Sequence, residues 1–179
     1  LQGLPPHLVV SGDLDVVGHP ALSNLSGLEG VSPTSVRVYG NTGLRSLHGL
    51  QDMEELLGLE IAYNPKLADL EGLESLRTIN GVATVHHGDG LTSLGGLDQL
   101  EQANLLSLQD NRELADLTAL NDCSIESLTV EGNDALESLG PVRDLWISQS
   151  LALQDNESLQ DLGDLRLPET LTGSLHLTG

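Results

Sequence analysis

The chain of 179 residues contains no Phe, one Trp and two Tyr, and sets seven Lys plus Arg against 27 Asp plus Glu for a net charge of −20. That length suffices for one domain with a sizeable core, yet the shortage of aromatics leaves leucine as the main core filler. The charge disfavours nucleic acid and anionic membrane, whose phosphates would be repelled. The lone Cys123 excludes an intrachain disulfide and a cysteine-based metal site. No apolar run reaches transmembrane length, so no membrane insertion is expected.

In chain order, Leu1-Gln-Gly-Leu4 matches the second half of a repeat, and Pro5-Pro6 departs from the pattern. The first full unit then starts at Leu14, and equivalent positions follow at Val36, Leu59, Ala83, Leu106, Leu128, Leu151 and Leu175. Their spacing is even, at about 23 residues, and a period this regular is the signature of a solenoid. The unit is clearest at Leu59 to Gly81, LEIAYNPKLADLEGLESLRTING. Taking Leu59 as position 0, apolar residues fall at 0 and +2 (Leu59, Ile61), where alternate side chains of a strand share a face. They then recur every three residues, at Leu67, Leu70, Leu73, Leu76 and Ile79, a spacing that suits tight turns or 3₁₀-like arcs. The +8 and +11 positions are leucine in all seven turns, from Leu22 and Leu25 to Leu159 and Leu162. One such unit cannot bury its leucines alone and must stack on copies of itself.

Three columns mark the bends. Position +5 reads His19, Asn41, Asn64, Gly88, Asn111, Asn133 and Asn156. An amide there can satisfy backbone groups at a buried corner that no strand ladder reaches, so Asn41, Asn64, Asn111, Asn133 and Asn156 are predicted to form a structural ladder. Position +13 (Gly27, Gly49, Gly72, Gly96, then Ala119, Pro141, Asp164) marks a second corner, and the small polar side chains at +10 suit a turn or cap before it. The expected fold is therefore a β-rich solenoid of about 23 residues per turn. It has one parallel sheet face, short 3₁₀ or turn segments elsewhere, and seven to eight turns forming a single domain over residues 1–179. Both ends read as truncated turns, so a piece of a longer polypeptide is expected, with exposed strand edges that invite end-to-end self-association.

The pattern of strand, Asn, Leu-x-x-Leu-x-Gly-Leu-x-x-Leu-x-x-Ile-x-Gly is carried by residues 59–81, by GDLDVVGHPALSNLSGLEGV at 12–31 and by GNTGLRSLHGL at 40–50. It resembles the receptor L domain, the leucine-rich ligand-binding domain of the epidermal growth factor and insulin receptor families. General leucine-rich repeats place a leucine two residues after the Asn, whereas here the gap is three, as from Asn41 to Leu44. The resemblance implies a right-handed β-helix-like coil and ligand binding at a cell surface. The near absence of cysteine and the even period set the chain apart from the animal receptors and suggest a bacterial surface version. No family ligand residues transfer, because no motif marks them.

Candidate chemistry is sparse. Cys123 falls at +17, an apolar column with Leu76, Leu100 and Leu145, and reads as a packing thiol. His86 is expected to face out from the sheet and His87 to lie near the bend, so the pair need not converge; no metal and no cofactor are expected. No catalytic constellation emerges, which disfavours a β-helix carbohydrate-active enzyme. The remaining candidate surface is the outward sheet face, at +1 and +3 of each strand. Its contact-prone members are Arg37, Tyr39 and His86, with Glu60, Gln109 and Glu131 beside them. A non-catalytic binding or adhesion module, extracellular or at the cell surface and engaging a protein or glycan, is the leading expectation. A structural spacer is the alternative.

Overall fold

A strand motif that recurs at a period of about 23 residues pairs most simply with its next copy, in parallel, because the intervening arc returns the chain to its starting side. The computed structural model describes residues 10–139, 142–163 and 165–179. In it β1 (Asp13–Val17), β2 (Ser35–Tyr39), β3 (Glu55–Ala62), β4 (Thr78–His86), β5 (Gln102–Gln109), β6 (Ser124–Glu131), β7 (Trp146–Gln154) and β8 (Leu175–Thr178) form one sheet in sequence order. Every neighbouring pair is parallel, and Leu14, Val36, Leu59, Ala83, Leu106, Leu128, Leu151 and Leu175 line up in register across it. The chain is a β-solenoid. The lead-in at residues 1–4, the Pro5-Pro6 pair, Pro141 and Asp164 lie outside the described residues.

The strands reach further upstream than the two-apart apolar pair indicates. Leu56, Ile79, Ala103, Ile125 and Ile147 form a second buried column within the same strands. Ile79, expected in the run of three-residue steps, is therefore a strand residue of β4. The turn from Leu59 to Ala83 is one residue longer than its neighbours and absorbs the extra residue in a bulge between Ile79 and Val82. A Cβ on Gly81 within that bulge would stand 2.1 Å from the Leu57 carbonyl oxygen.

The steps of three are mostly tight turns, with one 3₁₀ helix at Thr118–Leu120 among the described residues. Leu73 N–H donates to the Leu70 carbonyl and Leu76 N–H to that of Leu73, and the same i to i+3 bonds join Leu25 to Leu28 and Leu94 to Leu97. Each leucine thus closes the turn begun three residues earlier while its side chain enters the core. The +8 and +11 leucines of turns two to six are all buried, whereas in the last turn Leu162 is exposed along with Leu175 and Leu177 of β8.

The asparagine ladder forms as expected, and all five amides are buried. Each side chain reaches back one turn. The oxygen of Asn111 accepts from Gly88 N–H at 3.0 Å while its nitrogen donates to the Val85 carbonyl at 2.9 Å. Asn41, Asn133 and Asn156 repeat both contacts on His19 and Val16, Asn111 and Leu108, and Asn133 and Val130. Asn64 does the same toward Asn41 and Val38. Gly88 breaks the series. In place of a fourth-turn amide, a void of about 10 Å³ lies between Ile61, Asn64 and Gly88, room for roughly one water molecule.

At the second corner Gly27, Gly49, Gly72 and Gly96 all adopt positive φ, between 102° and 120°. A Cβ on Gly72 would fall 2.3 Å from the Leu47 carbonyl carbon of the preceding turn, so glycine is required by both conformation and proximity. Position +10 caps this corner: Asp69 Oδ1 accepts from Glu71 N–H, Asp116 Oδ1 from Thr118 N–H and Asp161 Oδ1 from Gly163 N–H. The Ser138 hydroxyl and then the Gly163 amide hold the Asp161 carboxyl below the usual range. This contribution to stability is present above the ordinary carboxylate range and lost as pH falls through the depressed value.

Asn111→Ala leaves Gly88 N–H and the Val85 carbonyl without their partner and should destabilise by about 2–5 kcal/mol. Gly72→Ala should cost about 2–4 kcal/mol, whereas Gly12→Ala, with nothing within 4 Å of the new methyl, should change stability by less than about 0.5 kcal/mol. Urea unfolding of the three variants measures all three values.

Candidate functional site

The outward columns of the sheet carry the candidate residues, and four of the six meet in one network. Arg37 on β2 pairs with Glu60 on β3, Nε to Oε2 at 2.9 Å, as their register predicts. The Arg37 guanidinium also lies over the Tyr39 ring, 4.8 Å from its centroid, a cation–π contact. The other Glu60 oxygen faces His86 Nε2 at 3.7 Å. Gln109 and Glu131 stand further along the face and bond to each other, Nε2 to Oε2 at 3.1 Å. Ala62, expected on the exposed face, is buried; it lies in register between the larger Tyr39 and His86.

Two residues outside the predicted set complete the cluster. Tyr63 stands 5.1 Å from the Tyr39 ring, stacks on His87 at 4.6 Å with planes 20° apart, and meets His86 edge-on at 5.6 Å. His86 and His87, which need not meet on spacing alone, converge with their Nδ1 atoms 3.0 Å apart. His87 Nε2 in turn faces Asp110 Oδ2 at 3.6 Å. Both tyrosines of the chain are therefore gathered here, a ring platform on a face that the sequence indicates to be poor in stacking surfaces.

The backbone explains the convergence. Tyr63 and His87 occupy position +4, where Gly18, Gly40 and Gly132 of other turns sit, and the column adopts positive φ throughout: 72° and 68° at the first two glycines, 56° at Tyr63 and 53° at His87. The left-handed bend turns the residue after the strand back toward the sheet face instead of into the core. Left-handed backbone costs an L-residue about 1–2 kcal/mol, and Asp110 and Asp155 in the same column belong to a type that tolerates it better than tyrosine. Ring residues thus stand in a column where glycine is the unstrained choice. Three glycines in the +4 column were the signal available in the sequence.

Beside the rings a shallow groove of about 310 Å³ crosses β1 to β4, lined by Asp13, Asp15, Ser35, Arg37, Glu60 and Thr84 over a floor at Gly58. Among the described residues no group of three or more His, Cys, Asp and Glu side chains converges as a metal centre would require. Cys123 is buried in the core, and loss of solvation pushes its thiol up to about 12. Compared with known proteins, the chain shows no significant match to any family model, curated protein or solved structure.

With its pKa so raised, Cys123 stays protonated through neutral and mildly alkaline pH and should resist a thiol reagent at pH 8 in the folded protein. Labelling should appear only with unfolding in urea, following the same transition as circular dichroism.

Proposed function

We propose that the chain is a non-catalytic binding module, displayed at the cell surface, that presents the outward sheet face around Tyr39, Tyr63, His86 and His87 to a protein partner. The observation that carries this reading is the placement of Tyr63 and His87 at strained left-handed positions, where they build a partly exposed ring cluster beside a groove. Tyrosine and arginine are the residue types enriched at binding hot spots, and a ring held by its neighbours loses little freedom on binding. Solenoids characteristically bind across such extended faces. The resemblance of the repeat to receptor L domains supports ligand binding as the purpose of the coil, and the charge of −20 argues against a nucleic-acid partner.

A glycan is the second reading, supported by the groove of about 310 Å³ flanked by carboxylates, hydroxyls and Arg37 next to the ring platform. Parallel screens against a cell-surface protein library and a glycan array separate the two.

Arg37→Ala combined with Tyr39→Ala should weaken the partner by about 30-fold or more, the size of a hot-spot loss. Tyr63→Gly and His87→Gly should each abolish most of the binding while changing urea stability by less than about 1 kcal/mol, because relief of backbone strain offsets the lost ring contacts. Undiminished binding in all three would move the site to the bends. Absence of any partner in either screen would favour a spacer.

A further inference from the structure

We infer that His86 and His87 act as one proton-sharing unit whose state of protonation holds the ring platform together or opens it. The argument begins from the 3.0 Å separation of the two Nδ1 atoms. A neutral imidazole carries one N–H donor and one lone pair, so two nitrogens this close require one proton between them. Two lone pairs, or two N–H groups, would repel.

The surroundings determine how many protons the pair holds best. In the neutral pair the ring that donates from Nδ1 has a bare Nε2. For His86 that atom faces the Glu60 carboxylate at 3.7 Å, and for His87 it faces Asp110 at 3.6 Å. Either way, a lone pair faces a negative charge. One proton taken up from solvent at that Nε2 removes the conflict: both outer nitrogens then carry N–H toward a carboxylate, and the inner N–H···N bond becomes charge-assisted. A second added proton can go only to the accepting Nδ1, where it meets the N–H of the other ring. The inner bond is then lost and the rings must separate. His87 carries Tyr63 with it through their 4.6 Å stack.

The groups facing the pair from each packed element are Glu60 on β3, Asp110 after β5, and Tyr63 at the end of β3, with Gln109 in register beside His86 on β5. Arg37 on β2 engages the far side of the Glu60 carboxylate and so competes with His86 for it. Histidine is the side chain whose charge changes nearest physiological pH. The unit therefore makes a surface that is ordered with one shared charge and disrupted by the next proton. Its bearing on recognition rests on the sheet-face reading above, but the proton sharing does not.

Long-range ¹H–¹⁵N correlation spectra of the imidazoles, recorded against pH without any ligand, test this directly. His86 and His87 should respond in the same two steps, as coupled sites do, and the Tyr63 ring resonances should move with the more acidic step alone. His86→Gln should reduce His87 to a single step, and His87→Gln should do the same for His86. His19, His48 and His176 serve as internal references, and constant far-ultraviolet circular dichroism separates the effect from acid unfolding. Independent single-step titration of each ring, unaltered by substitution of the other, would overturn the proposal, as would a Tyr63 ring indifferent to the acidic step. Because no partner is needed, such a failure leaves the binding reading to its own experiment.

Discussion

No turn of this solenoid has a core of its own. A single coil offers two or three inward strand side chains and a few arc leucines, and each becomes buried only against its equivalents in the coils before and after. The in-register alignment from Leu14 to Leu175 is the geometric form of that dependence. A one-residue slip would turn the inward side chains of a strand to the outside, so the bends must deliver every coil at the same height. Apolar burial supplies the driving force, but it is non-directional. The corners supply direction: an amide at the first bend and a glycine pressed against the preceding backbone at the second.

This division of labour leaves the outward face little structural work. Its −1 column is built mainly of small residues, including Ser35, Gly58, Ser127 and Ser150, with Val82 and Leu105 the apolar exceptions. Away from Trp146 on β7, large side chains gather where Arg37, Tyr39, Glu60, Tyr63, His86 and His87 contact one another across three strands. The same turn holds the break in the amide ladder at Gly88, the residue directly after His87. Backbone strain at +4 and a missing side chain at +5 thus occur next to each other. The frame is thus irregular where the face is most elaborate.

Much of the architecture was legible because each column follows from simple spacing. Residues two apart share a strand face, residues three apart close tight turns, and a polar residue that interrupts both in the same place every turn marks a corner. The upstream extension of the strands was less legible because bulges shift its offset between turns: Leu56 lies three residues before Leu59, but Ile79 lies four before Ala83. The candidate face was half legible. Arg37, Tyr39, Glu60 and His86 follow from alternation, whereas Tyr63 and His87 do not, because alternation fails at a left-handed bend. Their position can be read only from Gly18, Gly40 and Gly132 in the same column, and then only by asking why glycine recurs there. The meeting of His86 with His87 depends on side-chain torsions that no spacing encodes.

The amide ladder also has a sense of direction. Every asparagine oxygen accepts from the coil that precedes it, so the corner of one coil is completed by a residue of the next, while the Asn64 and Asn133 amides also donate to the Ala62 and Glu131 carbonyls of their own coils. A chain emerging from the ribosome N-terminus first would leave its newest bend with open backbone groups and seal the one before it. Growth is then vectorial: each coil is a lid for its predecessor and a template for its successor. The coil of Gly88 brings no amide to the bend before it, so that bend relies on the bond from the Asn64 amide to the Ala62 carbonyl of its own coil and on the packing around it.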